Sequence, residues 1–425
     1  MEIMVQAADR IDGTVKAPPS KSYTHRAFII ASMAEGVSII KDPLYSEDTL
    51  ASLNSCIALG SHVKNHKTYC EIIGVHGKLK TPKNVLDLKN SGTTLRIITS
   101  LASLTDGYTV LTGDKSLRSR PMQNLLDALI PLGVSAFSTR NNGKPPIIIR
   151  GGFKGGKTCI NGNVSSQYIS SILMAAPYAE TNVDLHIKGD FISKPYVDMT
   201  LDIMKKFKVD VNYDRAGKSF HIEPQIYRSR DYSVEGDYSS ASYLIAAAAS
   251  LNSDLTIQNL PNNSKQGDKQ ILEIVKDMGS EVKVKNNEVK IQGQGIIKGI
   301  KVNLQNAPDL LPTVAALGAM AEGTTTIKGV EHARFKETDR IHTCATELSK
   351  LGVSVTEKSD GLIIRGGVQG GVVKSHMDHR LAMAFYIIGL KVGNLIIEDA
   401  SVYNISFPNF PEILQKLTKE MNHEK

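Results

Sequence analysis

Lys21, Arg26, Arg120, Lys336, Arg340 and Arg380 lie in short polar stretches at or near the starts of segments that read as helices. A helix start presents free N–H groups and about half a positive charge, so it attracts anions. Ser, Thr and Asn fill the same stretches, in KSYTHR, NSGTTLR, VSSQY and YSSASY. Any one of those side chains, taken singly, reads as an N-cap. A lysine or arginine does not, because a cap must accept a hydrogen bond and these groups only donate. Surface solvation explains each cation singly. Their recurrence at equivalent points along the chain points to a shared anionic ligand.

The densest cluster is FKETDR, residues 335–340. Lys336 and Glu337 are adjacent, and the spacing sets Arg340 one helical turn beyond Lys336. Two readings stand side by side: an exposed helix start with i,i+4 charge support, or a carboxylate base held among cations. Asp309, in NAPDLLPT, is a second candidate carboxylate, with an N-cap as its competing reading. Two further motifs suggest other chemistry. Residues 151–158, GGFKGGKT, match a P-loop pattern, but a P-loop opens a helix and the following CINGNV reads as a strand. The related IIRGGVQGGVV lacks Lys-Thr, so both are read as glycine turns after a strand. His376 and His379, in SHMDHR, have no third ligand nearby, and no metal is expected.

The elements that must position these residues recur. Five times a helical pattern runs into a stop followed by a short hairpin, at Gly60, Gly133, Lys208, Gly279 and Gly352. The spacings are about 73, 75, 71 and 73 residues, a regular internal repeat. A glycine there serves as a left-handed stop, and Lys208 replaces it at a cost in stability. Ahead of the stops come six β-branched strands, VSIIKD, YTVLTG, VDLHIK, DLTIQN, TTTIKG and NLIIED. Ahead of those come six helices rich in small apolar residues, such as ISSILMAAPYA and SYLIAAAAS, apolar enough all round to be buried. The sixth unit ends the chain, so the N-terminal EIMVQ is expected to supply its missing strand. The pattern predicts an α/β protein of two domains with three units each. Residues 1–16 plus 231–425 form one domain and 17–230 the other, with a ligand site in the cleft between them.

The composition fits a folded enzyme. The chain has 425 residues, 41% hydrophobic and 22% charged, too long for one ordinary core. It has no apolar run of membrane-spanning length and no signal-peptide pattern at its start. Four cysteines without paired spacing read as reduced thiols in a cytoplasmic protein. The net charge of +7 favours anionic partners. With no Trp and scattered lysines, nucleic acid is not expected among them.

The motifs PPSKSYTHRA, LKNSGTTLR, RSRPMQNLLDAL, GNVSSQY, FISKPYVDMTL, VEGDYSSASY, KQGD, FKETDR, DHRLAM and SFPNF run in this order from residue 18 to residue 410. Together they closely resemble the 5-enolpyruvylshikimate-3-phosphate synthases. That resemblance implies a two-domain enolpyruvyl transferase-like fold, an inside-out α/β barrel of three βαβαββ units per domain. It also implies transfer of the enolpyruvyl group of phosphoenolpyruvate to the 5-hydroxyl of shikimate 3-phosphate, with release of phosphate and no cofactor. By motif, Lys21, Asn90, Gly92, Thr93, Arg120, Gln167, Arg340 and Arg380 would bind phosphoenolpyruvate. Lys21, Ser22, Arg26, Ser165, Ser166, Gln167, Ser193, Tyr196, Asp309, His332 and Lys336 would bind shikimate 3-phosphate. Lys21, Asp309 and Glu337 would transfer protons. The resemblance further implies a cytoplasmic monomer with no membrane or nucleic-acid partner.

Three positions depart from the family pattern. Ile405 stands before Ser406 where members often carry Lys, which removes a charge-assisted contact worth about 1.5–3 kcal/mol. His332 replaces a frequent Asn, and Ile97 follows Arg96 where many members have Pro. The nearest alternative is the related transferase acting on UDP-N-acetylglucosamine, which would carry a reactive Cys in the loop that here reads GDKSLRSRP. A nucleic-acid-end-modifying protein of related units would need a basic, aromatic-bearing face.

Overall fold

The computed structural model describes residues 1–419. It divides into two compact units, one of residues 21–234 and one of residues 1–20 with the chain from 235 onward. Among the described residues five sheets repeat one plan, in which a central strand lies between a parallel strand and an antiparallel hairpin, and a sixth keeps the plan with a single antiparallel strand in place of the hairpin. In the 21–234 unit the central strands are Val37–Lys41, Tyr108–Thr112 and Val183–Lys188. Their parallel neighbours are Asp231–Ser233, Leu86–Asp87 and Gly156–Asn161. In the other unit the central strands are Asn252–Gln258, Thr324–Lys328 and Leu395–Glu398, with parallel neighbours Arg10–Lys16, Lys301–Asn303 and Gly371–Lys374. All six β-branched strands read from the sequence are therefore central strands. The sixth takes Ile3–Val5 as its antiparallel partner, in the register Ile3 to Ile397.

Each unit alternates an inner and an outer helix. The first unit has α1 (Lys21–Met33), α2 (Glu47–Ala58), α3 (Gly92–Ala102), α4 (Gln123–Leu129), α5 (Ser166–Ala175) and α6 (Lys194–Lys206). The second has α7 (Tyr238–Ser250), α8 (Ile271–Asp277), α9 (Leu311–Met320), α10 (Arg340–Lys350), α11 (His379–Val392) and α12 (Phe410–Lys419). The odd-numbered helices are the inner ones. Every residue of α7 is buried, as is every residue of α1 from Tyr23 on. Small side chains make this possible: Ala246–Ala249 are fully buried, and a Cβ on Gly318 would collide with the Thr325 side chain. Serines and threonines on these helices satisfy one another: Ser242 meets Thr313 at 3.0 Å, and Ser171 Oγ donates to the Arg96 carbonyl at 2.5 Å. The sheets lie outside, with outward residues such as Glu281, Lys283 and Lys285 exposed on one strand. This is an α/β fold with its helices in the middle, the inside-out arrangement. Each fully buried Leu, Ile or Phe contributes about 1.5–3 kcal/mol.

The repeat stops behave as their spacing requires. Gly60, Gly133, Gly279 and Gly352 have φ of 113°, 90°, 114° and 81°. Lys208, at the equivalent place, is forced to φ 68°. Its side chain is exposed, so a Cβ in the left-handed region brings strain without compensating burial. Lys208→Gly is expected to raise unfolding stability by about 1 kcal/mol, measured as a shift in the urea midpoint at unchanged slope.

The structure shifts the unit boundaries and decides two readings that the sequence left open. The unit boundaries fall at 20/21 and 234/235, four residues later than 16/17 and 230/231. Asp231–Ser233 pairs with Val37–Lys41 and so stays with the 21–234 unit, while Ser20 N donates to the Glu235 carbonyl at 2.8 Å and stays with the other. FKETDR does not open on a helix: Glu331–Phe335 is a 3-10 turn, and α10 starts only at Arg340 behind the cap Asp339. Lys336 and Arg340 therefore share no helical turn. Asp309 is not an N-cap. It lies inside the 3-10 turn Pro308–Leu310, and its carboxylate points to side-chain cations. The glycine turn at 151–155 leads into the strand Gly156–Asn161, so GGFKGGKT lacks the helix a P-loop needs.

Candidate active site

In the 21–234 unit the candidate residues sit at the starts of α1, α3, α5 and α6. Lys21 opens α1, and its Nζ lies 2.9 Å from Oδ2 of Asp48, the second residue of α2. Asp48 also accepts from Ser91 Oγ, the N-cap of α3, and faces His25 Nε2 at 3.6 Å. Burial alone would raise the Asp48 carboxyl, but Lys21 and His25 outweigh it and hold it well below the usual range. Burial pushes the His25 imidazole down, against the pull of Asp48. Arg26 is 1% exposed and braces α1 against α6. Its Nε donates to Thr200 Oγ1 at 2.8 Å and its Nη2 to the Tyr196 carbonyl at 3.0 Å. A third N–H reaches the Ser22 carbonyl at 2.9 Å, and burial brings the guanidinium down to about 10.

At α3, Asn90 Oδ1 accepts from Arg120 Nη2 at 2.6 Å. Gly92 is the first residue of that helix, and a Cβ on it would collide with the Arg120 guanidinium. The absent side chain at Gly92 thus makes room for a buried cation. Gln167 follows the α5 cap Ser165, whose Oγ accepts from Gln167 N at 3.3 Å, and buried Ser166. Gln167 Nε2 donates to Thr93 Oγ1 at 3.0 Å, and its Oε1 accepts from Arg96. Arg96 also lies over the Tyr168 ring, 5.7 Å from its centroid. Asn90, Gly92, Thr93, Arg120 and Gln167 are therefore one connected patch. Ser193, ahead of α6, is buried and has φ 54°, a left-handed serine costing about 1 kcal/mol. Tyr196 follows three residues on, half-buried.

In the other unit a network of cations and carboxylates surrounds Asp309. Its Oδ1 lies 2.8 Å from Arg340 Nη1 and 3.5 Å from Lys336 Nζ, and its Oδ2 lies 3.0 Å from Arg380 Nη2. Arg340 is 1% exposed. Its Nε donates to Asp378 Oδ2 at 2.8 Å and its Nη2 to Glu337 Oε2 at 2.5 Å. Burial alone would lower this guanidinium, but Asp378, Glu337 and Asp309 raise it above its ordinary value. Asp378 caps α11, accepting from Arg380 N at 2.9 Å, and Arg380 Nη1 reaches Ser239 Oγ at 2.5 Å. Burial, with Asp309 adding to it, pushes the Asp268 carboxyl up to about 7. Burial and the charge of Lys336 bring His332 down to about 4. A neutral His332 is therefore the form present at neutral pH. Ile405 ends the 3-10 turn Ala400–Ile405, half-buried and apolar.

Chemically, one unit offers Lys21, Arg120 and a connected amide patch, and the other offers carboxylates laced through Lys336, Arg340 and Arg380. Such sets bind small multiply charged anions and move protons beside them. Asp48, Arg96, Asp378, Ser239 and Asp268 belong to these networks and were not singled out from the sequence. Asp378 lies within DHRLAM and Arg96 within NSGTTLR, so motif membership was the available signal for both. Nothing local marks Asp48 as the partner of Lys21. Among the described residues no group of three His, Cys, Asp or Glu is placed to hold a metal, and His376 pairs with Glu347 at 2.7 Å. Among the described residues no helix is long and apolar enough to cross a membrane.

Comparison with known proteins agrees with the motifs. Residues 5–414 match the family model of EPSP synthase (3-phosphoshikimate 1-carboxyvinyltransferase). The chain is 58% identical to the 3-phosphoshikimate 1-carboxyvinyltransferase of Methanothermobacter thermautotrophicus over 422 residues, covering 99% of this chain and 100% of that protein. It is 54% identical over 426 residues to the protein of that name from Methanosphaera stadtmanae, again over 99% and 100%. The solved EPSP synthase of Acinetobacter baumannii superposes with a TM-score of 0.82 at 29% identity, covering 98% of each chain. The chain belongs to the EPSP synthase (3-phosphoshikimate 1-carboxyvinyltransferase) family.

Proposed function

We infer that this chain is a 3-phosphoshikimate 1-carboxyvinyltransferase, an enzyme of the shikimate pathway leading to aromatic amino acids. It transfers the enolpyruvyl group of phosphoenolpyruvate to the 5-hydroxyl of shikimate 3-phosphate and releases phosphate. The observation that carries this reading is Asp309, a carboxylate within reach of Arg340, Lys336 and Arg380 at the start of an inner helix.

The reaction adds and then eliminates. The 5-hydroxyl oxygen bonds to C2 of phosphoenolpyruvate and gives up its proton to a base, while C3 takes up a proton from an acid. The C2–O bond to phosphate then breaks as C3 gives a proton back. Charge accumulates on the phosphate and carboxylate oxygens, and Lys21, Arg120, Arg340 and Arg380 are assigned to stabilise it. Asn90, Gly92, Thr93 and Gln167 complete the phosphoenolpyruvate set. Ser22, Arg26, Ser165, Ser166, Ser193, Tyr196, His332 and Lys336 are assigned to shikimate 3-phosphate. Arg26 acts chiefly by holding the Ser22 and Tyr196 backbones, because the three bonds described above commit its guanidinium. Glu337, Asp309 and Lys21 are assigned the proton transfers. Ile405 supplies no charge to the phosphate, so that burden falls on the arginines. The enzyme is proposed to work as a monomer in the cytoplasm, and light scattering at assay concentrations tests the first point.

The deciding experiment is phosphate release. It is expected with phosphoenolpyruvate and shikimate 3-phosphate together, and from neither alone. Release with phosphoenolpyruvate and UDP-N-acetylglucosamine instead would replace this reading.

A further inference from the structure

We propose that Asp114 is a positioning residue for phosphoenolpyruvate, because it fixes which end of the Asn90 amide meets Arg120. The proposal rests on the substrate reading above. Two loops meet here, joined by Leu88 N to the Thr112 carbonyl at 2.9 Å and by Asp114 N to the Lys89 carbonyl at 2.9 Å. Asp114 Oδ1 accepts from Leu117 N at 2.7 Å and so caps the turn that leads to Arg120. Its Oδ2 accepts from Asn90 Nδ2 at 2.7 Å. Asn90 Oδ1 in turn accepts from Arg120 Nη2 at 2.6 Å.

The order of this chain is forced. A guanidinium only donates and a carboxylate only accepts. Asn90, between them, has one end of each kind and fits in a single orientation. Asp114 therefore decides that Arg120 meets an oxygen. With an amide at position 114, the oxygen stays on Leu117 N and the NH2 turns toward Asn90. Asn90 then either makes a donor–donor contact or turns over and sets its own NH2 against Arg120. Arg120 loses the Asn90 oxygen in both cases. Asp114 is assigned no substrate contact, so its effect passes through Asn90 and Arg120.

Asp114→Asn keeps the cap and inverts the chain. Asp114→Ser also keeps a capping oxygen but is too short to reach Asn90. Both variants are expected to raise KM for phosphoenolpyruvate about three- to tenfold, the scale of one net hydrogen bond. The KM for shikimate 3-phosphate stays within about twofold and the thermal midpoint stays near that of the unsubstituted enzyme. In an Asn90→Ala background, Asp114→Asn is expected to add nothing further. An unchanged KM for phosphoenolpyruvate in both variants, equal rises in the two KM values, or additive effects in the Asn90→Ala background would overturn the proposal. The unsubstituted enzyme is the control. If it releases no phosphate from the two substrates, the functional reading fails, and this proposal with it.

Discussion

Glu337→Gln is expected to retain both substrates near their normal KM values while kcat falls by about 10²–10⁴. The substitution keeps size and shape, and the amide oxygen can still accept from Arg340 Nη2, which Glu337 Oε2 meets at 2.5 Å. It removes the ability to take or give a proton at that position. Binding depends mainly on the cations, which the substitution leaves in place. The transition state depends on a proton moving at C3, and an amide cannot move it. The loss therefore belongs in kcat more than in KM. Steady-state phosphate release with each substrate varied in turn measures both. A kcat within tenfold of the unsubstituted enzyme would remove Glu337 from the proton transfers and leave Asp309 and Lys21 to carry them.

Arg340→Met is expected to destabilise the unit containing residues 235 onward by about 3–5 kcal/mol as well as abolish turnover. Arg340 is 1% exposed and contacts three carboxylates, Asp309, Glu337 and Asp378. Asp378 is itself 0% exposed, so it cannot recover hydration when its cation is removed. Methionine fills the space but leaves that charge buried and unpaired. Arg340→Lys is expected to fall between the two, since a single ammonium cannot match the fork that reaches all three partners. Urea unfolding of the three proteins measures the order. Stability of Arg340→Met within about 1 kcal/mol of the unsubstituted protein would show that the network is unimportant to folding.

The sequence made the repeating parts of the fold legible, because repetition reports packing. Five helix stops at near-equal spacing, six β-branched strands and six small-residue helices each recur where one unit buries its apolar face on the next. Lys208 could be identified as a left-handed residue because four glycines occupy the equivalent positions. The site was legible as motifs but not as partners. Lys21 and Asp48 are 27 residues apart in different helices, and only the packing of α1 on α2 brings them together. FKETDR looked helical because its charges fall at helical spacing. The structure instead ends a 3-10 turn at Phe335, and Arg334 ties the loop back through Asp339 and Glu357, each at 2.8 Å. A cap stood as the competing reading of Asp309 because it precedes a helix. Three nearby cations, brought in from distant segments, give its carboxylate other partners. The 230/231 boundary fell four residues early because Asp231–Ser233 is too short to show a strand pattern of its own.

The placement of the first strands has a consequence for how the protein is made. Residues 21–234 form one uninterrupted stretch that contains every strand of its own three sheets, including Asp231–Ser233. It can close as soon as that stretch leaves the ribosome. Ile3–Val5 and Arg10–Lys16 emerge before that stretch but pair with Leu395–Glu398 and Asn252–Gln258. At a synthesis rate of about 5–20 residues per second, these strands wait on the order of ten seconds or more for partners. During that wait their backbone groups lack the ladder partners they have in the folded protein. A circular permutant that begins at Lys21 and joins residue 425 to residue 1 through a linker would deliver those strands after their partners, and should shorten the interval in which the nascent chain can misassociate.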